Sequence, residues 1–141
     1  MLRSTELGID SFLDAVAMPK VVIIVEDAET VASSLALAVE TLPGVQAIVT
    51  RDPRAALSLF VAPDSAIAAL LTDLNLPYLD GFELIRRVRA LAPYRNLPVI
   101  MISADERASS LNGSTPDGAN ALFRKPFSLK EVCHALEKLL Q

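Results

Sequence analysis

Three carboxylates, one hydroxyl and one ammonium carry the chemistry open to this sequence. Glu26 and Asp27 follow the β-branched run Val21–Val25, and Asp73 follows the apolar run Ala68–Thr72. Ser103 follows Pro98–Ile102, and Lys125 follows Ala121–Arg124. Acids gathered at one place resist ionisation unless a cation sits between them. Three carboxylates with room for water and a backbone carbonyl suit Mg²⁺, a hard ion that takes oxygen ligands and keeps waters. A carboxylate facing a metal-neutralised phosphoryl group can act as an in-line nucleophile. Phosphoryl transfer then asks the protein mainly for positioning and for positive charge around the equatorial oxygens. Asp73, expected on the central strand, is the natural nucleophile, with Lys125 as a point charge and Ser103 as a hydrogen-bond donor.

The elements that must position these groups alternate. Val21–Val25, β-branched throughout, reads as a strand buried on both faces, and the apolar runs Gln46–Thr50, Ala68–Thr72, Pro98–Ile102 and Ala121–Arg124 read as the other strands. A helix with Val31, Leu35, Val39 and Leu42 on one face closes at Pro43-Gly44. Asp52-Pro53 starts a second helix, a cap followed by proline at the first helical position. A third spans Gly81 to Leu91, capped by Asp80, with Phe82, Ile85 and Val88 on one face. The last opens with the capping box Ser128–Glu131 and is expected to bury Leu129, Val132, Leu136 and Leu140. A short helix is expected over Glu106–Leu111, before the turn-forming Asn112-Gly113-Ser114 and Pro116-Asp117-Gly118. Strand–helix repeats of this kind predict an α/β fold: a doubly wound, five-stranded parallel sheet with right-handed crossovers. Ligands bind such sheets outside the carboxyl ends of the strands, where Glu26, Asp27, Asp73, Ser103 and Lys125 all fall.

Composition narrows the classes further. A chain of 141 residues, 52% hydrophobic and 21% charged, has room for one domain with a packed core. Its formal charge of -4 counts against direct binding to nucleic-acid phosphates. The single cysteine, Cys133, excludes an internal disulfide and a multi-cysteine metal site, as expected in a reducing compartment. The longest apolar run, Ala66–Leu71, is far short of the ~20 residues of a membrane helix. Glu6, Asp10 and Asp14 interrupt any secretory signal. The expectation is a soluble cytoplasmic protein with no membrane partner. The domain is expected over 19–141, with 1–18 as an extension. Ile9, Phe12, Leu13 and Val16 would permit a short amphipathic dimerisation or docking helix there, and a frayed terminus is the plainer reading. His134 reads as a solvated surface residue, Cys133 as core, and Arg86, Arg87 and Arg89 as a solvated basic face.

Val21–Val25 with Glu26-Asp27, Leu71-Thr72-Asp73-Leu74-Asn75-Leu76-Pro77 with Asp80-Gly81, Val99–Ser103 with Ala104, and Lys125-Pro126-Phe127 together resemble the receiver domain of two-component response regulators. Each piece is weak, but the four stand in the family's order and at its intervals from about Pro19 onward. The resemblance implies a flavodoxin-like (βα)5 fold with strand order 2-1-3-4-5. It implies Asp73 as phosphoacceptor, and Mg²⁺ held by Glu26, Asp27, Asp73 and the carbonyl of Asn75. Ser103 and Lys125 would contact the phosphoryl group, and the Lys125–Pro126 bond would be cis. The phosphoryl donor would be a phosphohistidine on a histidine kinase or a histidine phosphotransfer protein. A downstream effector protein would read the state, and the chain would be no conventional enzyme. With only Gln141 after the last helix, no attached output domain is expected. One position departs: the family often has an aromatic three residues before the lysine, and here it is Leu122, with Phe123 expected on the opposite face. A phosphorylation-independent binding module on the same fold is the alternative, and an aspartyl phosphatase is disfavoured by Asn75 where its second acid would stand.

Overall fold

The computed structural model describes residues 19–106 and 118–141. In chain order the elements are β1 (Lys20–Val25), α1 (Glu29–Val39), β2 (Val45–Thr50), α2 (Pro53–Val61), β3 (Ile67–Thr72), α3 (Gly81–Arg89), a 3-10 turn (Ala92–Tyr94), β4 (Val99–Ser103), β5 (Ala121–Arg124) and α4 (Leu129–Leu139). The five strands form one sheet, all pairs parallel, in the order β2-β1-β3-β4-β5. The expected extension at 1–18 and the helix expected from Glu106 run into residues 1–18 and 107–117, outside the described residues.

Strand periodicity sorts the apolar side chains into two cores. Ile23, Val25, Leu70, Val99 and Met101 face α2 and α3, meeting Ala56, Phe60, Leu84, Ile85 and Val88. Their neighbours Val22, Ile24, Leu71, Ile100 and Ile102 face α1 and α4, meeting Leu35, Val39, Val132 and Leu136. With both faces covered, an uninterrupted apolar strand is the expected pattern. Each such side chain fully withdrawn from water contributes about 1.5–3 kcal/mol. Leu122 joins the α3 side and Phe123 the α4 side, so the aromatic does lie on the opposite face.

Three expected caps are made. Asp52 accepts from the Arg54 N–H, Asp80 from Glu83 and Ser128 from Glu131. Gly44 supplies the left-handed turn (φ 72°) that ends the α1 connection. Three readings are corrected. Leu129 is exposed rather than buried, because the first residue of α4 projects past the sheet over the cleft toward Val31. α3 stops at Arg89, and Leu91 leads into the 3-10 turn, whose Tyr94 ring packs edge-on to Phe60 at 5.0 Å. Arg86, Arg87 and Arg89 are also not one solvated face. Arg86 and Arg87 pair with Glu83, while half-buried Arg89 donates to the carbonyls of Leu97 and Gly118 and to Asn120.

Candidate functional site

Three side chains meet at the carboxyl edge of the sheet. The Lys125 ammonium lies 2.8 Å from Asp73 Oδ2 and 3.0 Å from Glu26 Oε1. Each comes from the end of a different strand, β5, β3 and β1, so the strand order alone brings them together. Glu26 is 2% exposed and Asp73 8%. Burial disfavours the Lys125 ammonium, but the hydrogen bond to Asp73 and the pairing with Glu26 outweigh it and hold its pKa above the ordinary lysine value.

Backbone groups fix both carboxylates. Asp73 Oδ1 accepts from the Asn75 N–H at 3.2 Å, and the Asp73 N–H donates to the Val25 carbonyl. Glu26 Oε2 accepts from the Ala28 N–H at 3.0 Å. Glu26 Oε1 is buried with no hydrogen-bond donor aligned to it. Its counter-charge is the ammonium it shares with Asp73. Two carboxylates against one ammonium leave the pocket net negative, so its donor set, an under-satisfied carboxylate oxygen beside a second carboxylate, fits a divalent cation.

The other expected residues differ in exposure. Asp27 turns outward, with its side chain 65% exposed and Arg51 Nε at 3.9 Å. Among the described residues, no group of three acids, histidines or cysteines is arranged to hold a metal ion. Ser103 belongs to β4 itself, is fully buried, and its Oγ accepts from the Asp105 N–H at 3.1 Å. Asn75 is exposed on the loop after Asp73. The Lys125–Pro126 bond is cis. His134 is exposed, and burial raises the half-buried Cys133 thiol.

Two features near the site were not read from the sequence: the tight packing at Gly81 and the place of Arg51. Gly81 donates to the Leu74 carbonyl at 2.7 Å, and a Cβ there would overlap the Asp73 carbonyl oxygen. A glycine just after a helix cap is poor helix chemistry, and that was the available signal. Arg51 follows β2, which pairs with β1 in register up to Val25–Thr50. The sheet order therefore places it beside Asp27. Farther along the same rim, Arg54 stacks on the Tyr78 ring at 3.4 Å, and Tyr78 holds a left-handed backbone (φ 73°).

The comparisons with known proteins agree with this fold. Residues 22–137 match the response regulator receiver domain family. A chemotaxis protein CheY homolog of Campylobacter jejuni is 31% identical over 52% of this chain and 57% of its own length. The response regulator MprA of Mycolicibacterium vanbaalenii is 31% identical over 88% of this chain and 52% of its own. The chain thus spans little more than half the length of these relatives. Among solved structures, a Francisella response regulator receiver domain superposes with a TM-score of 0.69 at 27% identity, covering 86% of this chain and 96% of that one. The chemotaxis response regulator CheY4 of Vibrio cholerae gives 0.74 at 22% identity over 87% and 100%, a likeness of fold. No helix among the described residues is long and apolar enough to cross a membrane. Sheet order and the match over most of the chain agree: this chain belongs to the response regulator receiver domain family of two-component systems.

Proposed function

We propose that Asp73 accepts a phosphoryl group from a phosphohistidine donor, on a histidine kinase or a histidine phosphotransfer protein, and that a downstream effector protein reads the result. The observation that carries this reading is the Lys125 ammonium shared between Asp73 and Glu26. A carboxylate oxygen of Asp73 forms the P–O bond as the donor's P–N bond breaks, and the leaving electron pair stays on the imidazole nitrogen. Lys125 passes from the carboxylate to a phosphoryl oxygen without leaving the pocket, so positive charge is in place as charge moves onto the acceptor. The Asn75 N–H keeps the Asp73 carboxylate oriented. Ser103 supplies a hydroxyl donor to the phosphoryl group once its side chain turns. Glu26, Asp27, Asp73 and the Asn75 carbonyl would hold Mg²⁺, which neutralises the incoming phosphoryl group. Hydrolysis of the acyl phosphate resets Asp73, and no free substrate is turned over. We place the protein in the cytoplasm, with its donors.

The outward Asp27 and Leu122 in the aromatic position favour one second reading, a binding module that signals without phosphorylation. Intact mass after incubation with a small phosphodonor decides between them. A gain of about 80 Da that requires Mg²⁺ and is absent in Asp73→Asn supports phosphorylation. No gain, or one that survives Asp73→Asn, supports the binding module.

A further inference from the structure

Tyr78 stands in the loop between Asp73 and α3 with a left-handed backbone, φ 73°, and the Leu79 N–H donates across it to the Pro77 carbonyl at 2.9 Å. That is a γ-turn of the rare, strained hand. A bulky side chain in this region is an outlier that its surroundings must hold in place. Burial does not hold this side chain, since Tyr78 is 72% exposed. The contact on its ring is the Arg54 guanidinium, 3.4 Å from the ring centroid. Arg54 is itself fixed: its Nε and Nη2 donate to the two Asp52 oxygens at 3.0 to 3.3 Å, and its N–H is the donor that Asp52 caps. We infer, resting on Asp73 as the phosphoacceptor, that Tyr78 is a positioning residue: its ring, held beneath Arg54, keeps the loop after Asp73 closed on the acceptor.

A short segment couples the turn to the acceptor. The inner end of the loop is pinned to the core, because Leu74 is fully buried and its carbonyl accepts from Gly81. Asn75 comes next, and its N–H donates to Asp73 Oδ1 at 3.2 Å. Beyond it, Pro77 and Tyr78 are exposed, so the stack on Arg54 ties the outer end of the loop to the start of α2. Without the stack, the Tyr78 backbone is free to leave the left-handed region, and Asn75 is carried away from Asp73 with it. A cation–π contact at an exposed site shifts such a closed–open equilibrium by about two- to fivefold.

Amide exchange of the full chain, read by NMR, tests the clamp without any phosphoryl donor. The Asn75 amide should exchange about two- to fivefold faster in Tyr78→Ala and in Arg54→Gln, while amides of β1 and β3 keep their wild-type rates. Tyr78→Phe retains the ring and should retain the wild-type rate. Tyr78→Ala/Arg54→Gln should exchange no faster than either single variant, because both remove the same contact. Phosphoryl uptake at Asp73 from phosphoramidate, at a Mg²⁺ level that saturates the wild type, should fall in the two single variants by up to the same factor. Unchanged Asn75 exchange, additive effects in the double variant, or a Tyr78→Phe that behaves as Tyr78→Ala overturns the clamp. Faster exchange with wild-type uptake overturns the positioning role. A wild type that takes up no phosphoryl group overturns the reading of Asp73 instead, and the exchange rates tell that failure from failure of the clamp.

Discussion

Replacing Lys125 by methionine keeps an unbranched apolar stem one atom shorter and removes the charge that Glu26 and Asp73 share. Both carboxylates are almost fully buried, and the ammonium lies within 3.0 Å of each. Removing one partner of a buried pair leaves uncompensated charge at a cost of about 3–5 kcal/mol. A domain of this size holds roughly 5–15 kcal/mol, so the variant folds but is weakened. With a urea slope of roughly 2 kcal/mol per molar, its midpoint should fall by about 2 M, measured in chelator at pH 7. The wild-type pH dependence follows from the same contact. In the wild type the raised Lys125 pKa means that its contribution is complete below the ordinary lysine value and is lost only as pH rises past the raised one, so acidification from pH 7 to 5 leaves it intact. Millimolar Mg²⁺ at pH 7 should return part of the variant's deficit by binding the native state. A deficit below about 1 kcal/mol would refute the shared-charge account.

Gly81→Ala pushes a methyl group against the Asp73 carbonyl and Leu74. It should cost roughly 1–3 kcal/mol in urea unfolding and slow phosphoryl uptake as well, because the displaced backbone carries the acceptor. Unchanged uptake would show that the acceptor loop tolerates the shift. The hydrogen bond from Arg87, outweighing burial and aided by Arg86, holds the Glu83 carboxyl below the ordinary glutamate range. Its contribution to α3 is present above that range and lost as pH falls through the lowered value. A carboxyl NMR titration should show the low midpoint, and Arg87→Gln should move it upward.

The sheet was legible because the inner strands β1, β3 and β4 carry unbroken β-branched or apolar runs, while the edge strands β2 and β5 are only partly buried, and four strands sit one residue from their expected bounds. Burial on both faces removes alternation, which leaves length and flanking turns as the guide. Helix starts were legible through Asp52, Asp80 and Ser128, whose side chains cap backbone donors one turn ahead. Interior faces were less so: Leu129 has the right spacing for the core, but a first-turn residue can overhang the sheet edge. Arg89 reads as surface charge, and only the tertiary approach of Leu97, Gly118 and Asn120 turns it inward. At the site, residue type and strand order were enough to gather Glu26, Asp73 and Lys125. Side-chain direction was not legible. Asp27 is adjacent to Glu26 in sequence yet faces Arg51, and the Ser103 hydroxyl is engaged by Asp105.

The most direct test of the site is to map the modified residue. After treatment with Mg²⁺ and a small phosphodonor, borohydride reduction converts an acyl phosphate to a stable alcohol that peptide mass spectrometry can place. The expected product carries the label at Asp73 alone. Label at Glu26, at Asp27 or at His134, or none anywhere, would contradict the assignment.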